Sequence, residues 1–312
     1  MRGPHNIWRL IRTGATLERT GAMNVVLDAF EAPPALRFVA RALGLPFKFL
    51  GSKGDPEMPP ATRALTALGP AYIKFGQILS TRPDVVGDEL AVQLRVLQDK
   101  LPPFSVAKAK AEVQKELGVS VDEAFSEFSE PVAAASIAQV HKAKLAETGE
   151  FVAVKVLRPG IERAFAKDVD AFYLAARMVE IFAPGARRLR PMEVIEHFDG
   201  VVQGELDLRL ESSAASEFAA NTKDDEGFQL PEIKWEFSAR RVMTLGWADG
   251  VSLGDNAAID GAGHDRVDLG NRVLQLFLNH ALRDGFFHAD MHQGNLKVSP
   301  NGDIIAYDFG IM

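Results

Sequence analysis

Cysteine is absent from the 312 residues, which excludes disulfides, thiolate metal sites and cysteine nucleophiles and leaves a reducing compartment merely permitted. Long apolar runs are missing too. No window holds the roughly 18 uninterrupted apolar residues of a membrane span, and the N-terminus lacks the charged, apolar and small-residue order of a cleavable leader. The expectation is a chain with no transmembrane segment, on the cytoplasmic side by default. Positive charge is in deficit: 35 Lys and Arg stand against 42 Asp and Glu, a formal net charge of −7. A nucleic-acid binder usually carries the opposite balance, so no nucleic acid is expected among the partners. No G-x-G-x-x-G follows an expected strand, and no cluster has metal-ligand spacing suited to oxygen chemistry. Repeats and low-complexity tracts are absent as well.

What remains is a chain with 47% hydrophobic residues, enough for a sizeable core in one large or two modest domains. Its most informative stretch runs from Phe287 to Gly310. The spacing predicts a polar loop (His288 to Asn295), a strand (Leu296 to Val298), a Pro300-Asn301-Gly302 turn, a second strand (Ile304 to Tyr307) and then Asp308-Phe309-Gly310. One hairpin thus holds Asp290, Asn295 and Asp308 near a common point. In-line phosphoryl transfer needs little covalent help from a protein; it needs metal ions on the phosphates and a carboxylate for the attacking hydroxyl. Hard oxygen donors of this kind suit Mg²⁺. The step from Asp290 to Asn295 matches the kinase catalytic loop, and D-F-G follows at a hairpin's distance. Asp290 is the expected base, and Asn295 and Asp308 the expected metal ligands. His288 and His292 lie four apart in the loop flanking Asp290, and a zinc site there is not expected.

Upstream, Pro131 is read as the point where the period changes from helix to strand. Ala133-Ala134-Ala135-Ser136 leads into a strand through Lys144, and Phe151 to Val156 contains V-A-V-K. That is the kinase strand whose lysine pairs with phosphates and with a helix glutamate, making Lys155 the expected lysine. Helices are predicted over Ile161–Phe182 and Pro191–Ser216, the latter carrying Glu205, Asp207 and Glu211. Strands around Phe228–Ile233 and Arg241–Leu245 should complete the same sheet, and Asp268–Arg283 reads as a long helix.

The N-terminal part is helical and punctuated by Pro and Gly. Arg2, Arg9, Arg12 and Arg19 accompany Ile7, Trp8, Leu10, Ile11 and Leu17; an interfacial helix on anionic lipid and a helix packed on its own domain are both open. Short helices are predicted over Ala61–Leu68, Ala71–Thr81, Asp88–Leu101, Val106–Leu117 and Asp122–Phe128. Lys74 and Gln77 share a helix face. Gly76 between them costs about 1 kcal/mol against Ala and hints at a close approach on that face.

The loop H-A-D-M-H-Q-G-N, with Ala289 in place of the usual Arg, together with K-F-G-Q, A-A-A-S, V-A-V-K, E-L-D and D-F-G, resembles the UbiB family of atypical kinases, the ADCK group in eukaryotes. The resemblance covers nearly the whole chain. It implies an α+β, protein-kinase-like fold: a helical N-terminal extension (1–130), a small β-sheet lobe with inserted helices (131–250), and the start of an incomplete helical large lobe (251–312). It further implies a kinase or ATPase that uses ATP and Mg²⁺ in support of ubiquinone biosynthesis, with lipid intermediates or biosynthetic enzymes as partners and peripheral contact with the inner face of the cell membrane. By the same resemblance Glu211 pairs with Lys155. Ala133, Ala134, Ala135 and Ser136 form an Ala-rich loop over the phosphates, and Lys74, Gln77, Glu205 and Asp207 face the nucleotide. Trp247-Ala248-Asp249-Gly250 falls at the hinge, where Gly246 stands instead of the family's usual Glu. A nucleotide-binding regulator without turnover, or a polyprenylphenol hydroxylase, stays open as an alternative. The chain halts two residues after D-F-G, so a fragment of a longer protein is expected.

Overall fold

The computed structural model describes residues 5–29, 32–97, 103–182 and 184–312. In chain order it contains α1 (His5–Thr20), α2 (Ala22–Ala29), α3 (Pro34–Gly44), α4 (Pro60–Leu68), α5 (Pro70–Ser80), α6 (Pro83–Val86), α7 (Asp88–Leu94), α8 (Val106–Leu117) and α9 (Val121–Ala124). Then follow β1 (Phe125–Ala134), β2 (Ala138–Leu145), β3 (Phe151–Leu157), α10 (Ile161–Phe182), α11 (Pro191–Glu205), α12 (Leu208–Asn221), β4 (Phe228–Gln229), β5 (Val242–Gly246), β6 (Val251–Ser252), α13 (Asn256–Gly261), α14 (Arg266–Asn279), β7 (Leu296–Val298) and β8 (Ile304–Ala306). Among the described residues no helix is long and apolar enough to cross a membrane.

The chain forms two compact units: Met1–Pro102 with Ala135–Ile137 and Gly160–Val202, and Pro103–Ala134 with Ala138–Pro159 and Gln203–Met312. The first is helical. Buried Ile161, Phe165, Val169, Phe172 and Ala176 recur at three- and four-residue steps along α10, the period of a helix with one face inward. Phe172 meets Tyr72 and Phe75 of α5, and Phe75 also meets Phe198 of α11, at ring distances of 4.7, 5.3 and 5.2 Å. Arg9 pairs with Asp168, and Thr13 Oγ1 lies 2.6 Å from Tyr72 Oη. Burial pushes the Tyr72 phenol up to about 12. The close approach at Gly76 is internal packing: a Cβ there would come 2.4 Å from a Leu97 methyl and 2.6 Å from a Leu65 methyl.

The second unit contains two four-stranded sheets. β1-β2-β3-β5 is antiparallel throughout. β3 shows why Lys155 stands where it does. Val152, Val154 and Val156 are fully buried and join Val113 of α8, Phe125 and Val242 in one core; period-2 alternation then turns Phe151, Ala153 and Lys155 to the opposite face. The other sheet, β4-β8-β7-β6, carries the antiparallel hairpin β7–β8, with Leu296 opposite Ala306.

Four expectations are corrected. Residues 125–128, read as helix, begin β1: the helix that Ser120 caps ends at Ala124, and Phe125 already has extended backbone angles. β4 joins the second sheet by pairing in parallel with β8; from the 228–233 stretch only Ile233 bridges to Leu245 of the first. The helix expected over Pro191–Ser216 is two helices, because Asp207 caps α12 and accepts from Arg209 N. The helix expected to reach Leu101 ends at Leu94, and residues 98–101 lie outside the described ones. The long helix before the catalytic loop is α14 followed by a π-helical turn, His280–Asp284.

Candidate active site

Lys155 leaves β3 on the face away from the core, and Glu211 comes from the first turn of α12 to meet it. Nζ lies 2.7 and 2.9 Å from the two carboxylate oxygens. Asp308, just past β8, places Oδ1 3.7 Å from the same nitrogen. Burial opposes the charge on Lys155, but Asp308, Glu211 and more distantly Glu205 outweigh it and hold the ammonium well above its ordinary value. Asp308 is held below the usual carboxylate range by Lys155. Glu211 is pushed up by burial against the pull of Lys155, with Asp308 adding like-charge repulsion. One ammonium faces two carboxylates, so the cluster carries excess negative charge beside the hairpin end.

The hairpin explains the second group. Tyr307 N donates to Asn295 O at 3.3 Å, which sets Asn295 and Asp308 side by side where β7 and β8 open. Asn295 is nearly buried, and its amide nitrogen donates to the backbone oxygen (3.1 Å) and carboxylate (3.2 Å) of Asp290. Asp290 N donates to His288 Nδ1 at 3.1 Å. Gly294 N donates to His292 Nδ1 at 2.9 Å, so the second histidine braces its own loop. His288 is buried beside Phe309, with ring centroids 6.1 Å apart, and burial lowers its pKa.

At the other end of β3, Trp247 N donates to Phe151 O at 3.0 Å, tying the segment after β5 to the sheet. Gly250 adopts φ 154°, and a Cβ there would lie 2.4 Å from Val298 O; only glycine lets this segment cross β7 so closely. Lys297 Nζ donates to Ala248 O at 2.8 Å. It also lies 5.2 Å from the Trp247 ring centroid and 5.5 Å from that of Tyr307. Lys142 of β2 sits 4.5 Å from the centroids of both Phe151 and Trp247. Sequence reading passed over Lys142, Lys297 and Tyr307. The available signal was their alternation on the same strand faces as Lys155 and Asn295.

The structure thus joins Lys155 to Glu211 and Asp308, and Asp290 to Asn295. Glu205 is half-buried and contributes to the field at Lys155. Asp207 is committed to its helix cap and to Arg209, at 2.6 Å. Ala133 and Ala134 are strand residues opposite Val140 and Gln139; Ala135 and the buried Ser136 lie in the turn that follows. Lys74 and Gln77 belong to α5 of the helical unit, where Gln77 donates to Leu97 O at 3.2 Å.

The donor set fits magnesium. The Asn295 amide spends its N–H groups on Asp290, leaving its oxygen to ligate, and Asp308 adds a carboxylate held ionised. Hard oxygens, few carboxylates and excess negative charge are what Mg²⁺ beside phosphates requires. Lys155, oriented by Glu211, is a fixed cation of the kind that phosphate oxygens would pair with.

The sequence matches the ABC1 atypical kinase-like domain over residues 96–312. It is 40% identical over 314 residues to the probable protein kinase UbiB of Azotobacter vinelandii, covering 97% of this chain and 57% of that one. The probable protein kinase UbiB of Marinobacter nauticus is 41% identical over 254 residues, 80% of this chain and 46% of its own. The chain spans about half the length of the curated relatives it matches. Among solved structures, that of the Rv3197–erythromycin complex from Mycobacterium tuberculosis superposes with a TM-score of 0.56 at 29% identity, over 75% of this chain and 59% of that one. The chain belongs to the ABC1 atypical kinase-like family, in its UbiB group, and has the α+β, protein-kinase-like fold.

Proposed function

We propose that this chain carries the nucleotide site of an atypical kinase or ATPase that uses Mg-ATP in support of ubiquinone biosynthesis. The observation that carries the reading is the Lys155–Glu211 pair at 2.7 Å with Asp308 beside it. These residues come from β3, α12 and the end of the β7–β8 hairpin, and a phosphate-binding lysine accounts for their convergence.

In this reading Lys155 holds phosphate oxygens and Glu211 fixes its direction. Asn295 and Asp308 hold Mg²⁺, which when bound neutralises charge on the phosphates. Asp290 accepts the proton of the attacking hydroxyl, and Asn295 keeps its carboxylate turned inward. The acceptor is a lipid-phase intermediate or a partner enzyme of the same biosynthesis. Peripheral contact with an anionic membrane is part of the proposal; exposed Ile7 and Trp8 on α1, with Arg9 and Arg12 beside them in sequence, support it.

Thermal unfolding with and without Mg-ATP, on the chain and on Lys155→Ala and Asp308→Ala, tests the nucleotide reading. Stabilisation that needs Mg²⁺ and is lost in both variants is expected; stabilisation that survives both sinks it.

A further inference from the structure

β1 is out of step with its partner. Its register against β2 slips between Phe125 and Glu127, between Phe128 and Pro131, and between Pro131 and Ala133, so the ladder alone specifies the end of β1 weakly. That end bears on the site. Ala133 stands opposite Val140, Val140 opposite Lys155, and Lys155 opposite Met243, so one row across the sheet joins Ala133 to the lysine. A one-residue slip of β1 would take Ala133 out of that row and turn its neighbours to the other face.

Side chains close the middle slip, where Pro131 has no N–H to give. The register passes over Ser129; its Oγ accepts from Lys142 N at 3.0 Å, and its carbonyl oxygen lies 2.8 Å from His141 Nδ1. A carbonyl only accepts, so Nδ1 carries the ring proton and Nε2 is left as an acceptor. Gln139 Nε2 donates to it at 2.8 Å. The same amide takes both backbone groups of Phe104, as a neighbouring strand would: Oε1 accepts from Phe104 N at 3.0 Å, and Nε2 donates to Phe104 O at 3.2 Å. Gln139 and His141 are 1% and 0% exposed. They stand opposite Val156 and Val154 on the core face of the sheet, directly behind Val140. Each nitrogen and oxygen of the two side chains has a partner, and a buried network satisfied in this way favours a single arrangement of the strands that carry it.

We propose that His141 is a positioning residue for the phosphate end of the nucleotide site: its bond to Ser129 O, with Gln139 holding the ring in the required tautomer, locks β1 in the register that keeps Ala133 in the row of Lys155. The inference rests on the nucleotide reading above and adds to it a residue that touches no ligand. A buried histidine that only fills the core sets stability alone. One that sets the register beside Lys155 sets the affinity for phosphates as well.

Calorimetric titration with Mg-ADP, well below the melting transition, separates the two roles without turnover. An asparagine side chain brings an amide N–H close to the place of Nδ1, and a glutamine brings its amide close to the place of Nε2. His141→Asn should therefore keep the bond to Ser129 and bind Mg-ADP within about threefold of the unaltered chain, although it melts lower. His141→Gln and His141→Phe lose that bond and should bind about tenfold more weakly, the upper range for one hydrogen bond. Ser129→Ala removes a half-buried hydroxyl and leaves the core intact, so it serves where a ring variant does not fold; it should weaken binding in the same direction by less. Affinity unchanged in Ser129→Ala and in whichever of the Gln and Phe variants folds overturns the inference and leaves the nucleotide site standing. His141→Asn binding as weakly as His141→Phe overturns it equally. No binding of Mg-ADP by the unaltered chain would instead overturn the nucleotide reading, and this inference with it.

Discussion

Lys155 and Glu211 are 56 positions apart and lie 2.7 Å from one another, with side chains 19% and 11% exposed. Removing one partner of so enclosed a pair leaves the other buried and unpaired. Lys155→Met should destabilise the chain by about 3 kcal/mol, the low end for broken buried pairs. The sign of its pH dependence follows from Glu211, already pushed up by burial. Without the ammonium its folded pKa rises further above the unfolded value, so the variant recovers stability as pH falls through that folded pKa. Chemical denaturation at pH 7.5 and pH 5.5 checks this; a stability gap to the unaltered chain that does not narrow at pH 5.5 counts against it.

Asp290 separates catalysis from binding. Its carboxylate touches Asn295 rather than Lys155, so Asp290→Asn should leave Mg-ATP binding within about threefold and slow turnover by about 10² or more, the usual worth of a positioned base. Should Asp290→Asn sustain ubiquinone biosynthesis in cells where Lys155→Ala does not, nucleotide binding without turnover would be the better account.

Acid should unfold this protein early. His141 and His280 are fully buried, and burial lowers the pKa of each. His280 sits 3.0 Å from Asp225 and 5.0 Å from the Phe218 and Phe228 rings. A histidine whose folded pKa lies below its unfolded value contributes stability above the unfolded pKa, near 6.5, and loses it as pH falls through the gap. Melting temperature measured from pH 8 to pH 5 should therefore decline below about 6.5, and less steeply in His280→Gln. A flat profile over that range excludes the effect.

The chemistry was more legible in the sequence than the framework around it. Asp290, Asn295 and Asp308 are local to one hairpin, so spacing alone brings them together. The partner of Lys155 is not local; Glu211 was reached through family resemblance, because nothing in the spacing distinguishes it from Glu205 or Asp207. Boundaries failed where a single residue redirects the backbone: Asp207 caps a new helix inside an apparently continuous one, and Phe125, extended at the C-cap of α9, turns the chain into β1. Partner choice failed at β4, whose two residues carry no register information of their own. Gly76 was correctly read as a mark of close approach, but the approaching groups are the Leu65 and Leu97 methyls, which no local pattern reveals.

That packing is itself testable. Gly76→Ala gains about 1 kcal/mol of helix propensity but drives a methyl into buried Leu97 and half-buried Leu65, and overpacking costs about 1–3 kcal/mol. A net loss of about 1 kcal/mol is expected. Adding Leu65→Ala opens the space, so the double variant should be more stable than the sum of the single changes allows. Additive effects across that cycle would mean the methyl is accommodated elsewhere.

Gly250 tests how tightly the segment after β5 is tied to β7. Its φ of 154° is closed to L side chains, and an added Cβ would meet the Val298 carbonyl, which is backbone and cannot swing aside. Val251, the next residue, pairs with Val298, so relief must come from moving the hinge off β7. Ala248 moves with it, and the 2.8 Å bond from Lys297 is the first casualty. Gly250→Ala should cost about 2 kcal/mol or more in stability, read as a lowered melting temperature. A variant that keeps its melting temperature would show that the segment tolerates displacement from β7.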